Sequence, residues 1–533
     1  MNDLHGEARM TWFKKLNKTL VRAKQRRAVV ESMESRQMFD ATPIWLGGVY
    51  VEEDRGTDQT GDSLYIRFTG GAQGTQLKRL VIQTDQNAPG MGVADNFFDT
   101  EGRGLGADHA FPFHIERLVT ANPNARVTAQ VEDAGMQLVL TFENFFAGDL
   151  LVFSIDVDEV QHWNASERNL DALNGGLDPI TSGVEFQGSR LTGEFLAPHY
   201  QDVTGTGTYV NAYDAVMSRS GLELPADNEG GKRDRSAGTA FSLQQQPKPI
   251  SLAGTVYVDN NLNLFRDATE ATLAGVSVEL YRKEAGQFVA TGHRTTTDAQ
   301  GRYQFPVSLN LQPGTYQVRQ TQPEGYFSVG AVPGKIASLG TVGQTVAGDR
   351  NFLTEIVIPK GDLHAVDLDF AEAQPASIQG FVYQDLDDDG VRDNGEAGIA
   401  GVTIRLEPID TIDAQGVLTA VTGSDGSYRF QGLVPGLYRV IEVNQPPDFF
   451  DGKDTAGTVG GSVRGNAPQN DTLVGIRLSG NESGVEFNFG ELPPGSLSGH
   501  VCLAMPGFDC DSVEPGSKSP LSGVQVDLLD SSG

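Results

Sequence analysis

Asp385, Asp387, Asp389, Asp393 and Glu396 fall within twelve residues of one another, in the order Asp-Leu-Asp-Asp-Asp-Gly-Val-Arg-Asp-Asn-Gly-Glu. That order satisfies D-x-[DN]-x-[DN]-G-x5-E, a spacing that gathers oxygen ligands around one calcium ion. Asp385, Asp387 and Asp389 turn alternate side chains toward one centre, and Gly390 permits the sharp turn. The Val391 carbonyl supplies a backbone oxygen. Asp393 ligates directly or through water, and Glu396 closes the site with two oxygens. The loop holds six acidic residues and one arginine, so without a cation its charges repel one another at short range. An EF-hand would flank such a loop with helices. Here the flanks, 378–383 and 402–406, alternate apolar and polar residues as strands do.

A weakened copy stands 126 residues earlier. Asp259, Asn261, Asn263, Asp267 and Glu270 take the ligand places, but two aspartates have become asparagines and Leu264 stands where the turn calls for glycine. A leucine held at positive φ costs about 1–2 kcal/mol, so weaker calcium binding is expected there. At the third recurrence the acids are gone, and Cys502 and Cys510 flank Pro506-Gly507 instead. In an oxidising exterior a Cys502–Cys510 disulfide is expected to staple the loop that calcium no longer closes.

No other chemistry is spelled out. His109, His114, His162 and His199 carry no metal or triad spacing, and no Walker loop, nucleophile elbow or dinucleotide fingerprint is present. No motif selects a facing carboxylate pair of the glycosidase kind. Catalytic residues are therefore expected to be none, and the chain is read as not an enzyme. Asp451-Gly-Lys453-Asp454 reads as a solvated turn in preference to a second metal turn. Ser154 to Glu159, with three acids, reads as a solvated strand end.

The elements that must position the loops come from repetition. Gly254, Gly380 and Gly499 each follow a closing strand and a short Pro-containing linker, at periods of 126 and 119 residues. Repeats of that length are whole domains in tandem. Within them Val276, Val278 and Leu280, Val402, Ile404 and Leu406, and Val524, Val526 and Leu528 alternate onto one face. Asp425-Gly426 precedes Tyr428 and Phe430, and Pro435-Gly436 precedes Tyr438 and Val440; the first repeat has Tyr303, Phe305, Tyr316 and Val318 in the same order. About seven short strands in about 120 residues imply an antiparallel sandwich. The third unit, from Ser496 to Gly533, is too short to form one alone.

This order of opening glycine, acidic loop, Ala-Gly-Val strand, Tyr-x-Phe and Pro-Gly-x-Tyr resembles the B-type repeats of serine-aspartate-repeat and collagen-adhesin surface proteins of bacteria, over roughly residues 250–533. The resemblance implies prealbumin-like β-sandwich modules that act as stalk or spacer, with Ca2+ as the cofactor. Some relatives carry a Lys–Asn crosslink between first and last strands. Residues 376–492 hold one lysine, Lys453, in a Gly-rich loop, so Asn488 is expected to form none.

Residues 42–246 carry other strand-like runs, such as 63–68, 137–142 and 150–155, and read as a larger N-terminal β-sandwich. The fold class expected is thus all-β, the larger sandwich followed by tandem modules: 1–41 a basic export leader, 42–246 the N-terminal sandwich, 247–373 and 374–492 two repeats, and 493–533 a truncated third. The leader's Arg26-Arg27 pair and the run from Glu31 to Phe39 resemble the leaders of planctomycete extracellular proteins. Residues 1–40 carry nine basic and five acidic residues against a net charge of -30 for the whole chain. An acidic body of that size disfavours nucleic acid, and no run of 18 apolar residues suggests a membrane span. The expected function is a secreted or cell-surface calcium-binding structural or adhesive protein. Its partner would be an extracellular ligand of the matrix, cell wall or a glycan. The alternative is a carbohydrate-binding or carbohydrate-active protein with its active module in 42–246. Ordering the calcium loop is expected to fix the angle between its module and the preceding one.

Overall fold

The computed structural model describes residues 42–503 and 521–529, apart from 53–59, 87–90, 103–109, 161–162, 165–168, 171–176, 180–185, 211–217 and 223–234. The leader segment, His109, His162 and Cys510 lie outside the described residues. Two compact units divide the chain. The first runs to Val256 and takes in Thr272–Thr321 and Ala331–Phe370; the second comprises Tyr257–Ala271, Gln322–Gly330 and the chain from Ala371 onward.

In the first unit, strands Thr42–Val51, Asp62–Gly71, Leu150–Val160 and Ser236–Leu243 belong to one sheet, and Gln76–Gln83, Gln137–Glu143 and Arg190–Leu196 belong to a second. Their alternating apolar residues make one core that includes Leu46, Ile66, Phe68, Leu80, Leu140, Phe153 and Phe195. Each such side chain, fully buried, is worth about 1.5–3 kcal/mol. The acids ending strand Leu150–Val160 are not solvated. Asp156 and Asp158 are 4% and 1% exposed, because that strand end is paired with Asn96–Asp99 on one side and Leu177–Pro179 on the other. A strand end read as free from sequence is here the middle of a sheet.

A second core in this unit gathers Val276, Val278, Leu280, Tyr303, Phe305, Tyr316 and Val318, the residues whose alternation marks the first repeat. In the second unit the same positions, Val402, Ile404, Leu406, Tyr428, Phe430, Tyr438 and Val440, are all buried in one core. One sheet there joins Ser427–Leu433, Ala376–Gln384 and Phe489–Leu492; the facing sheet runs Leu418–Val421, Thr403–Thr411, Gly436–Glu442, Thr472–Leu478 and Asn466–Gln469. Val524, Val526 and Leu528 remain exposed, with no facing sheet among the described residues to receive them.

The modules are not wholly antiparallel. Val382 pairs Phe489, and Ser377 pairs Ser483, in parallel; Ser251 pairs His364 in the same way. The opening and closing strands are separated by the whole module, so no hairpin obliges them to run in opposite directions. The opening glycine makes this close approach possible. A Cβ on Gly380 would lie 1.8 Å from the carbonyl oxygen of Phe487, and one on Gly254 1.9 Å from that of Leu368.

Candidate metal centre

Strand Ala376–Gln384 delivers the chain to Asp385, and the parallel register sets the acidic loop beside the closing strand. The Asp385 amide donates to the Glu491 carbonyl at 2.8 Å, and the Gln384 amide to that of Ala397, also at 2.8 Å. Both ends of the loop are thus tied to sheet backbone. The Asp385 side chain is fully buried and accepts from the amides of Asp389 at 3.3 Å and Gly390 at 2.9 Å. Asp389 Oδ1 accepts from the Val391 amide at 2.7 Å. Glu396 accepts from Leu386 and Asp393 amides at 2.8 and 2.7 Å. Gly390 has φ 81, the conformation the motif requires of a glycine.

The expected ligands converge in two overlapping groups. Asp385, Asp387 and Glu396 offer oxygens within 4.8 Å of one another, and so do Asp387, Asp389 and Asp393. Val391 stands in the ligand row with its side chain exposed. Asp387 belongs to both groups, and desolvation followed by repulsion from Asp389, Asp385, Glu396 and Asp393 pushes its carboxyl up. Burial, then the charges of Asp385, Glu396, Asp389 and Asp387, raise Tyr383. The loop is also held from outside. Lys453 Nζ donates to the Asp388 carbonyl and Thr455 Oγ1 to that of Gly390, and the Arg392 guanidinium lies 4.0 Å over the Phe381 ring. A hard divalent cation suits an all-oxygen set of this kind.

The earlier loop keeps the same backbone plan. Leu264 and Asn263 amides donate to Asp259 at 2.7 and 3.1 Å, and the Asp267 amide to Glu270 at 3.0 Å. Leu264 has φ 58, the strained conformation expected of it. The side chains differ. Asn261 and Asn263 Nδ2 donate to Asp267 Oδ2 at 2.8 and 3.2 Å, placing amide hydrogens against the carboxylate. Asn260 adds a bond from Nδ2 to Gln374 Oε1 at 3.0 Å, accepts from the Gln374 amide at 3.1 Å, and its carbonyl accepts from Gly480 at 2.9 Å. This loop therefore reaches the chain that follows its module.

A third acidic group was missed. Glu442, Asp471 and Glu491 offer oxygens within 4.8 Å of one another. Glu442 and Glu491 are 3% and 0% exposed. Burial, then repulsion among these acids, pushes Glu442 up to about 9 and Glu491 up to about 8. Burial raises Asp454 to about 7, against amide hydrogen bonds from Asp471 and Thr472 that lower it. Asp454 is thus no solvated turn residue. The signal was in the alternation: Tyr438, Val440 and Glu442 point the same way, and the third is a carboxylate where the pattern calls for an apolar side chain.

Cys502 is disulfide-bonded. Asn488 has its amide engaged, Oδ1 accepting from the Phe381 amide at 3.0 Å and Nδ2 donating to Glu486 at 3.0 Å. No helix among the described residues is long and apolar enough to cross a membrane.

Residues 250–347 and 376–496 each match the family described as the SdrD B-like domain. The chain is 28% identical over 412 residues to serine-aspartate repeat-containing protein F of Staphylococcus epidermidis, covering 72% of this chain and 22% of that one. It is 31% identical over 282 residues to serine-aspartate repeat-containing protein D of Staphylococcus aureus, covering 51% and 20%. The chain thus spans about a fifth of the length of these curated relatives. Among solved structures, the minor pilin GBS52 of Streptococcus agalactiae aligns at 13% identity and a TM-score of 0.20, covering 47% of this chain and 99% of that one.

Proposed function

We propose that this chain, an extracellular or cell-surface protein whose two C-terminal modules are SdrD B-like domains, is a structural or adhesive protein. In this reading residues 247–373 and 374–492 are spacer modules, and residues 42–246 present a binding surface to an extracellular ligand of the matrix, cell wall or a glycan. The modules bury sandwich cores and expose loops, the division of labour of a stalk, and catalysis forms no part of the reading. Calcium is the stiffening element of the second module. The observation that carries this is the pair of overlapping carboxylate groups that share Asp387 on a loop tied to the sheet at both ends.

Five clustered carboxylates can be drawn together only if their charge is offset, and a cation that binds the folded loop alone stabilises the fold by RT ln(1 + [L]/Kd). The first loop binds more weakly, because Asn261 and Asn263 already supply hydrogens to Asp267. Its place beside Gln374 and Gly480 supports a mechanical role at the following junction. The Cys502–Cys510 disulfide closes the corresponding loop of the third unit. Thermal unfolding of the whole chain with calcium and with chelator tests the reading. A transition that is the same in both would reject it.

A further inference from the structure

Asn394 and Gly395 form the tip of the turn that closes the acidic loop of the second module, and both are exposed. The Glu396 amide donates to the Asp393 carbonyl at 3.2 Å, and the Asp393 amide donates to Glu396 Oε2 at 2.7 Å. Gly395 has φ 113, a conformation that glycine adopts without steric cost, and a Cβ there would meet nothing within 4 Å. Among the described residues, neither the Gly395 amide nor the Asn394 side chain has a hydrogen-bond partner.

The first module builds the same turn from other residues. There the Glu270 amide donates to the Asp267 carbonyl at 3.1 Å, and the Asp267 amide to Glu270 Oε2 at 3.0 Å. The tip is Ala268-Thr269, and neither residue has positive φ. The turn therefore needs neither asparagine nor glycine to close. What the Asn-Gly pair adds is reactivity. An asparagine side chain is the right length to close a five-membered ring on the next amide nitrogen, and glycine has no side chain to shield that nitrogen. The chain's other Asn-Gly pair, Asn174-Gly175, lies outside the described residues. Asn394-Gly395 stands between two carboxylates of the loop.

We propose that Asn394-Gly395 is a self-modification site, where deamidation lengthens the backbone between Asp393 and Glu396 and opens the acidic loop, and where a bound divalent cation holds the reaction off. The Gly395 amide gives its proton to solvent base, and its nitrogen attacks Asn394 Cγ. The N–Cγ bond forms, the Cγ–Nδ2 bond breaks and ammonia leaves. Water then opens the cyclic imide at either carbonyl. One route leaves aspartate. The other leaves isoaspartate, whose main chain runs through the side-chain carbon and is one methylene longer. One water enters, one ammonia leaves, and nothing is oxidised or reduced. The added methylene falls inside a turn spanned by two hydrogen bonds. Glu396, which also accepts from the Leu386 amide at 2.8 Å, is then drawn out of register with Asp393. The cation's part rests on the calcium reading of this loop. Ring closure rotates the Asn394 carboxamide and the Gly395 peptide plane toward each other, and an ion that fixes Asp393 and Glu396 keeps the turn from rotating.

The test holds the whole chain at pH 8 and 37 °C with chelator or with calcium, and maps its peptides by mass against time. With chelator, the peptide that contains residue 394 should change from amide to acid, with isoaspartate as the larger product. Calcium at about ten times its dissociation constant should slow the change about tenfold, since the cation withdraws the open loop from reaction. Asn394→Ala with Gly395→Thr copies the tip that the first module already folds with. That variant should show no change at 394 and should keep its calcium affinity within about threefold, as an exposed substitution does. Asn394→Asp should keep its affinity likewise, while the isoaspartate fraction should bind calcium at least about tenfold more weakly. An intact Asn394 in the chelated protein would overturn the proposal, and so would an isoaspartate fraction that binds calcium as the fresh chain does. Equal rates in calcium and chelator would overturn it alone where calcium still raises the melting temperature of the fresh chain. Where calcium moves neither the rate nor the melting temperature, the calcium reading fails and the proposal falls with it.

Discussion

The amide of Asp385 donates to the carbonyl of Glu491 at 2.8 Å, so the first carboxylate of the acidic loop and a buried acid of the inner pocket are one hydrogen bond apart. That link exists because opening and closing strands run parallel. Displacing either strand moves both acidic groups. A double-mutant cycle should therefore show coupling: Asp387→Asn and Glu442→Gln together should change calcium affinity by an amount different from the sum of the single changes. Additive effects within about 0.3 kcal/mol would show that the groups act independently.

Restoring the first loop is the converse experiment. Asn261→Asp with Asn263→Asp removes the two amide donors to Asp267, and Leu264→Gly relieves a residue at φ 58. The triple variant should bind calcium at least tenfold more tightly at that loop than the unchanged protein, read by calorimetric titration. Without calcium it should be less stable, since the carboxylates then face one another unscreened.

The opening glycine makes a steric prediction. Gly380→Ala would place a methyl group 1.8 Å from the Phe487 carbonyl, against backbone that cannot rotate away. Strand separation is the only relief, and a loss of about 3 kcal/mol or more is expected in denaturant unfolding of that module. Gly416→Ala, where a Cβ meets nothing within 4 Å, is the control and should change stability by less than about 0.5 kcal/mol.

The buried acids set the pH response of the calcium-free chain. Glu442 and Glu491 are raised from 4.5 to about 9 and about 8, and Asp454 from 3.8 to about 7. The folded state thus holds protons that the unfolded chain has released, and stability falls as pH rises. The contribution is complete below about pH 4, where the unfolded groups are also protonated, and is lost progressively up to about pH 9. Chelated protein should melt lower at pH 8.5 than at pH 6, and calcium should raise the melting temperature more at the higher pH. A calcium-free melting temperature that climbs between those values would contradict the burial of these acids.

Thiol titration of the denatured, unreduced chain should find no reactive cysteine if Cys502 and Cys510 are paired; two would disprove the pairing.

The clustering of the loop's acids was legible in sequence because they are contiguous: twelve residues specify both the turn and the charge, and no partner strand is needed to recognise them. The sandwich cores were legible for the same local reason, since Val402, Ile404 and Leu406 alternate within five residues and are all buried. The inner pocket was not, because Glu442, Asp471 and Glu491 meet only through strand register. Asp451 and Asp454 flank a lysine in a Gly-containing turn, which sequence alone presents as solvated, and Asp156 and Asp158 were misread for the same reason. The parallel pairing of first and last strands is a long-range fact that no local pattern announces.

The most direct measurement is scanning calorimetry of the whole chain, with calcium and with chelator, for the unchanged protein and for Asp385→Ala with Glu396→Ala. Calcium at about 100 times its dissociation constant stabilises by about 2.7 kcal/mol, which moves a domain of about 100 residues by roughly 10–20 °C. The unchanged protein should show a shift of that order in one transition, and the double variant should lose the larger part of it. The corresponding change at Asp259 and Glu270 should matter less. If chelator leaves every transition of the unchanged protein where calcium had it, the carboxylates of residues 385–396 are a solvated turn and the calcium account is wrong.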